Sequence, residues 1–317
     1  MIKFFYRREG AILFGQSQTE FASISKENVL WIDLFEPTGD EKRAIESFIG
    51  AEIQSRAEAE EIESSSRFSE EDGVIFANTN FMSPADDEMT MDPVSFILSD
   101  GILTTLRDIP LRSFNTLQMK MQARPEEFPD GFTVFVEIMN KRVDLDADLV
   151  ELIAQDTSQF SKRINQKEDI NEEFLLDINQ LQENAMLIRE NIVDKQRMMS
   201  NILKSKLCPK DKDLREDMGI ILQDIASLIN HTNFTFERLE YLQDTVVGII
   251  NLDQNRIMKT FTFISLLLMP ATLIASFYGM NVTLPFAGFP LAWVGILAIM
   301  AVIVTATWLL FRHKKML

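Results

Sequence analysis

Small polar side chains recur on one helical face near the C-terminus of this 317-residue chain. Taken at helical steps, this polar stripe carries Asn255, Met258, Thr262, Ser265, Met269, Thr272, Ser276 and Gly279. Successive rings of uncharged oxygens suit the water shell of a hard divalent cation, and methionines between them suit gating by dewetting. Tight packing of helices through small residues explains the same pattern. The residues alone therefore leave a conduit and a packing seam both open.

The segment around the polar stripe predicts a membrane hairpin. No charged side chain occurs from Thr260 to Phe311. One crossing needs roughly 20 apolar residues, so this stretch is long enough for two, Thr260–Tyr278 and Leu291–Phe311. The connection Gly279–Pro290 contains two glycines and two prolines, which end helices. The lipid bilayer is a predicted partner.

The distribution of charge predicts the orientation of that hairpin. The chain has a net charge of −17, and its loop between the two crossings contains no Lys or Arg. Basic residues flank both crossings at Arg256, Lys259, Arg312, Lys314 and Lys315. By the positive-inside rule both termini face the cytoplasm, and we expect the cytoplasmic (inner) membrane. The acidic soluble part excludes nucleic acid as a partner and attracts cations.

The reactive side chains are too few for catalysis. The chain has one cysteine, Cys208, which excludes a disulfide framework and fits a reducing cytosol. Its two histidines form no nucleophile–histidine pair or clustered metal-ligand motif, and no Gly-rich phosphate loop is present. Zinc prefers imidazole and thiolate ligands, whereas a hydrated hard cation needs only oxygens. The sequence therefore does not predict an enzyme, and it favours transport of a hard cation.

The first 130 residues predict a mixed α/β domain. Strand-like runs are Ile2–Tyr6, Ala11–Phe14, Val29–Leu34, Gly73–Asn80, Val94–Ser99 and Ile102–Leu106. Thr38 with Glu41 predicts a capping box at a helix start. Asp100-Gly101 predicts a hairpin turn between the last two strands.

Residues 131–254 predict a helical stalk. One apolar seam runs through Phe174, Ile178, Leu181, Ala185, Ile188 and Ile192. A second follows through Leu214, Met218, Ile221, Ile225 and Leu228 and then Leu239, Leu242, Val246 and Ile249. No proline interrupts Leu214 through Met269, which predicts one helix continuing into the first crossing. So long a helix with one apolar face needs partners, so we expect an oligomer.

These motifs together resemble the CorA family of magnesium transport proteins. The signature Tyr278-Gly279-Met280-Asn281 stands at the outer end of the first of two C-terminal crossings. The segments Asn251–Lys259 and Met269–Ala275 are similar to the family's approach to the membrane and its mid-membrane region. Upstream, Trp31–Leu34 followed by Pro37-Thr38 is similar to the start of its cytosolic domain. The resemblance covers nearly the whole chain.

The resemblance implies a homopentamer with an α/β cytosolic domain, a long helical stalk and two C-terminal transmembrane helices. Residues 255–317 would form the transmembrane hairpin with its external loop and basic C-terminal tail. Gly279, Met280 and Asn281 would form the outer selectivity filter, where amide oxygens meet water bound to the ion. The pore and its gate would be lined by Asn255, Met258, Phe261, Thr262, Ser265, Met269, Thr272 and Ser276. Periodicity places Thr262 on the polar stripe, whereas the resemblance places Phe261 at a constriction.

The resemblance also implies regulation by the transported ion. In the family, cytosolic Mg²⁺ bound to carboxylates between subunits closes the pore. Asp72 and Asp224 are the matching candidates here. Mg²⁺ would then be both transported and regulatory, with Co²⁺ or Ni²⁺ as surrogates.

Two alternatives remain open. The external loop 282–290 has no carboxylate to gather cations, and the family includes a zinc-transporting branch, so the same architecture moving zinc is one. The other belongs to a different class, a membrane-anchored coiled-coil scaffold. An anchor has no use for a polar stripe along its first crossing.

Overall fold

The computed structural model describes residues 1–54, 67–85, 88–166, 170–280 and 291–313. The chain divides into two compact units, Met1–Gln243 and Asp244–Leu317.

The described strands of the first unit form one seven-stranded sheet. They are β1 Ile2–Arg8, β2 Ala11–Gly15, β3 Val29–Phe35, β4 Phe68–Glu71, β5 Val74–Ala85, β6 Glu88–Ser99 and β7 Ile102–Arg107. Their order across the sheet is β2-β1-β3-β7-β6-β5-β4. The β3–β7 pair is parallel and the other neighbouring pairs are antiparallel. The mixed α/β character expected for the N-terminal part is confirmed.

Turn chemistry fixes the hairpins of this sheet. Asp100 (φ 51°) and Gly101 (φ 78°) join β6 to β7, and both have the positive φ of a type I′ turn. The predicted hairpin is therefore present. The same arrangement recurs at Asp72 (φ 49°) and Gly73 (φ 82°) between β4 and β5. The prediction missed β4 and the first half of β6.

Helices cover both faces of the sheet because neighbouring strand residues point to opposite sides. On one side Phe4 packs with Ile45 and Ile49 of α2 (Gly39–Ile49). The short helix α1 is Gln18–Phe21 and brings the ring of Phe21 within 5.0 Å of Phe4. On the other side Trp31 contacts Phe114 of α3 (Arg112–Ala123), at 5.3 Å between ring centroids.

The start of α2 shows the predicted capping box. The side chain of Thr38 accepts from the amide of Glu41 at 3.3 Å, and the Glu41 carboxylate accepts from the amide of Thr38 at 2.8 Å. Two otherwise unpaired amides at the helix start are satisfied in this way.

Two long helices pack against each other and the sheet. They are α4 (Gly131–Gln166) and α5 (Glu172–Lys204). The side chain of Asn171 caps α5 by accepting from the amide of Phe174 at 2.9 Å. Every residue of the first predicted seam is buried. The seam therefore holds α5 in place by burial of its apolar face.

A charged cluster is buried between α4, α5 and β5. Asp146 accepts from Arg142 Nε at 2.8 Å and from Lys195 Nζ at 2.7 Å. Arg142 also donates to the carbonyl of Met82 at 2.8 Å, and Lys195 donates to the side chain of Asn191. Buried charges are tolerated when they are paired and hydrogen-bonded in this way. The sequence did not predict this cluster.

One helix, α6, runs from Lys212 to Tyr278, with Pro270 inside it, and α7 is Ala292–His313. The prediction of one unbroken helix is confirmed. Both helices contain segments long and apolar enough to cross a membrane, with mean hydropathy 1.8 in α6 and 2.5 in Trp293–His313.

Candidate functional site

One face of α6 packs against α7 within the second unit. The half-buried residues of this part of α6 are Phe263, Leu267, Pro270, Ala271 and Ile274. Those of α7 are Ile296, Met300, Ile303, Val304, Thr307 and Phe311. Apart from one adjacent pair in each, both sets recur at steps of three and four, as one helical face does. The rings of Phe263 and Phe311 meet edge to face at 5.5 Å between centroids, so these two faces contact each other.

The polar stripe lies on the opposite side of α6. At about 100° per residue, the stripe from Asn255 to Ser276 is centred roughly half a turn from the face that contacts α7. All of its side chains are exposed, including Met258 at 64 % and Met269 at 62 %. Packing against α7 therefore does not explain the stripe. Its residues are free to face water or other copies of the chain.

Thr272 shows how a hydroxyl on this stripe can serve as a cation-facing acceptor. Its Oγ1 donates to the carbonyl of Leu268 at 3.0 Å. The hydroxyl hydrogen is thereby directed into the helix, and the oxygen keeps acceptor capacity on the exposed side. Water bound to a cation presents hydrogens outward, so an acceptor is the group that it needs.

Phe261 and Thr262 lie at different distances from the centre of the polar stripe. Adjacent residues are about 100° apart around a helix, so these two cannot both lie at its centre. Both are exposed, with Phe261 at 66 %. At that spacing Thr262 lies within the stripe and Phe261 lies at its edge.

The polar stripe extends one turn further toward the N-terminus of α6, to Asn251. Asn251 lies four residues before Asn255, is exposed and stands on the same face of α6. The period that located Asn255 would also have located Asn251. We therefore add its amide to the candidate residues.

The C-terminal end of α6 coincides with the start of the signature. The amide of Gly279 donates to the carbonyl of Ala275 at 2.9 Å, and the amide of Met280 donates to Phe277 at 3.4 Å. A Cβ added at Gly279 would lie 3.2 Å from the Ala275 carbonyl oxygen, so a larger residue would crowd this helix end. Met280 is exposed. Asn281 and the predicted external loop 282–290 lie outside the described residues, as do Lys314 and Lys315.

The candidate regulatory carboxylates lie in the first unit. Asp72 occupies the β4–β5 turn and Asp224 lies on α6, and both are exposed. In the part of the chain that the structure describes, no three His, Cys, Asp or Glu side chains are grouped so as to hold a metal ion.

Comparison with known proteins gives consistent matches over most of the chain. Residues 26–313 match the family model described as CorA-like Mg²⁺ transporter protein. The chain is 34 % identical over 290 residues to the magnesium transport protein CorA of Wolinella succinogenes, covering 89 % of this chain and 88 % of that one. It is 32 % identical over 296 residues to the protein of the same name from Escherichia coli, covering 92 % of each.

A solved structure shares the fold. The complete structure of the CorA magnesium transporter from Methanocaldococcus jannaschii matches with a TM-score of 0.79, covering 98 % of each chain. Its sequence is 17 % identical, so this match concerns the fold alone. The α/β domain, the long helix and the two C-terminal helices are thus a known arrangement.

Proposed function

The chain belongs to the CorA-like Mg²⁺ transporter family, and from that membership we propose that it conducts Mg²⁺ inward across the cytoplasmic membrane as a homopentamer. The family transports Mg²⁺, so the ion is substrate here. Co²⁺ and Ni²⁺ are proposed as surrogates because they resemble Mg²⁺ as hydrated divalent ions. The protein acts as a passive channel with no enzymatic step.

The polar stripe of α6 is the observation that carries this proposal. It combines exposed oxygens with exposed methionines and lies opposite the face that contacts α7. Copies of α6 arranged around an axis would place these oxygens in rings and the methionines in apolar constrictions. The membrane potential would drive the ion, at about 2.3 kcal/mol per charge per 100 mV, hence roughly twice that for a divalent ion.

Each part of the chain has its own role in the proposed channel. Residues 1–130 form the cytosolic α/β domain, 131–254 the stalk region, and 255–317 the membrane hairpin with its basic tail, both termini being cytoplasmic. Gly279, Met280 and Asn281 form the outer filter. The pore is lined from Asn255 to Ser276, with Met258, Phe261 and Met269 as apolar constrictions.

Ion flux into liposomes tests the conduction proposal. We expect Mg²⁺ influx that follows an imposed potential, reported by an internal dye, and its loss in Asn281→Ala. Asn230→Ala changes an exposed amide on the same helix in the first unit and should keep normal flux. Zinc influx without magnesium influx would show that zinc, and not Mg²⁺, is the substrate. Absence of both, from a folded oligomer, would favour the membrane-anchored scaffold.

We further propose that cytosolic Mg²⁺ closes the pore by binding at Asp72 and Asp224 between neighbouring subunits. Exposed carboxylates facing each other repel, and a bound cation removes that repulsion. Asp224→Asn should raise the internal Mg²⁺ concentration that halves the flux by several-fold. Asp217→Asn, one heptad earlier on α6 and also exposed, should leave that concentration unchanged. An equal effect of both variants would contradict a specific site.

A further inference from the structure

A cleft of about 380 Å³ lies in the first unit between α5, the start of β4 and the first part of α6. Its volume falls in the range of about 300–1,000 Å³ that is typical of small-molecule sites. Arg67, Arg197 and Lys204 are among its lining residues, and the described lining includes no carboxylate. In a chain of net charge −17, a cleft lined by cations is unexpected and needs a reason.

The basic character of the cleft extends into the protein behind it. Arg67 Nε lies 2.9 Å from a carboxylate oxygen of Asp194, and both side chains are mostly buried. Burial lowers the pKa of Lys195 to about 8; Asp146 opposes that shift, and the charges of Arg142 and Arg67 add to it. The charge of Arg67 thus acts on a buried lysine behind the cleft, while Asp194 offsets part of that charge.

The remaining lining gives the cleft two chemically different sides. Phe68 and Leu222 supply apolar surface, the buried Met198 lies behind it, and three uncharged hydrogen-bonding side chains complete the lining. Guanidinium groups bind phosphate through paired N–H donors, and a lysine contributes a point charge. An aromatic ring offers a flat apolar face beside them. A ligand that suits both sides has a compact anionic end and an apolar end.

We propose that this cleft binds a small phosphate monoester carrying an aromatic or other apolar group. Its phosphate contacts Arg67, Arg197 and Lys204, and its apolar part packs against Phe68 and Leu222. The site is distinct from the ion pathway on α6 and does not depend on it.

Titration calorimetry on the purified full chain in detergent tests this site directly. Adenosine monophosphate is the probe, because it binds Mg²⁺ weakly and will not strip that ion from the protein. Inorganic phosphate and adenosine are the two partial ligands. We expect the monophosphate to bind, inorganic phosphate to bind more weakly and adenosine to give no heat at the same concentrations.

Variants at the exposed cations locate the binding. Lys204→Glu should weaken monophosphate affinity about tenfold or more, as loss of a charge-assisted contact does, and Arg197→Ala should also weaken it. Lys206→Glu makes the same charge change two residues away, outside the lining residues, and should keep the affinity. Arg67 is a poorer test position because it pairs with Asp194. A substitution there would also break that ion pair and could change the local structure.

Several results would overturn the proposal. They are no heat with millimolar monophosphate, equal affinity for adenosine, equal affinity for inorganic phosphate, and equal weakening by Lys204→Glu and Lys206→Glu. The assay measures no transport, so its failure is independent of the outcome of the flux experiment.

Discussion

Asp146 is the residue on which the buried charge cluster depends. Its carboxylate faces Arg142 and Lys195, and the side chains of all three are at most 3 % exposed. Asp146→Asn would leave two buried cations without a counter-charge, which typically costs about 3–5 kcal/mol. We expect a clear fall in the midpoint of thermal unfolding of the full chain, followed by circular dichroism.

Asp144 provides the matched control for that substitution. It lies two residues earlier on α4 and pairs with Lys141 at 3.1 Å, but its side chain is 63 % exposed. Exposed pairs of this kind contribute about 0–1 kcal/mol, so Asp144→Asn should leave the midpoint nearly unchanged. An equal shift in both variants would show that the cluster does not stabilise the fold through its buried charge.

Lys195 gives the stability of the first unit a predictable pH dependence. Burial lowers its pKa to about 8 from an ordinary value of 10.5, so the folded protein holds this proton less tightly than the unfolded chain. Between those values the unfolded state binds more protons, and the free energy of unfolding therefore rises with pH. Wild type should gain stability relative to Lys195→Met from pH 8 to about 10.5. Chemical denaturation at several pH values measures the difference, and a constant difference would contradict the prediction.

Among the elements, α6 permits a direct test of which face conducts. Thr272 on α6 and Thr305 on α7 are both exposed, and each hydroxyl donates to the carbonyl four residues earlier. Thr272→Val removes an acceptor from the polar stripe, which we expect to reduce Mg²⁺ flux by up to about tenfold. Thr305→Val makes the same change on the other helix and should keep wild-type flux in liposomes. Similar flux in both variants would remove Thr272 from the pathway.

The elements found from sequence are those with strong local signals. Asp100-Gly101, the capping box of Thr38 with Glu41 and the seam of α5 each encode their geometry within a few residues. The strand β4 was missed because Phe68–Glu71 contains two glutamates, which have low strand propensity. The sequence feature that could have located β4 is the Asp72-Gly73 turn that follows it, which is of the same kind as Asp100-Gly101.

The first half of β6 was missed for a related reason. Pro93 interrupts it, and prolines are confined to strand positions that need no ladder donor. Here the segment before Ser95 pairs with β5 but has no β7 partner, so the missing amide is tolerated. Long-range pairing decided the structure against local propensity.

The candidate site was predictable to a similar extent. The period of α6 located the polar stripe, since helical faces can be derived from spacing alone.

The buried cluster of Arg142, Asp146 and Lys195 could not be derived from the sequence, because an Arg and an Asp four residues apart on a helix usually form an exposed pair. Its third member comes from α5, and only the tertiary structure brings it there.

At the scale of the whole molecule, the proposed pentamer predicts contacts between polar stripes of neighbouring copies. Thr272→Cys adds one accessible thiol per chain, so mild oxidation should cross-link neighbouring copies into disulfide dimers, and native mass spectrometry should give five copies of the 36.4 kDa chain. The native Cys208 is buried, and burial raises the pKa of its thiol, so wild type should form no disulfide dimer. Thr305→Cys on α7 is the matched control. Disulfide dimers from Thr305→Cys alone would place α7 at the centre of the assembly.

Pro270 removes one backbone hydrogen bond from α6. Proline has no amide hydrogen, so the carbonyl of Leu266 has no donor one turn further on. Bending a helix at another position stretches or breaks a backbone hydrogen bond, whereas this position has no such bond to break. Between Leu266 and Pro270 the backbone of α6 therefore resists bending less than a fully hydrogen-bonded turn does. A bend there would tilt the following segment, with Thr272, Ser276 and Gly279, relative to the part of α6 before it.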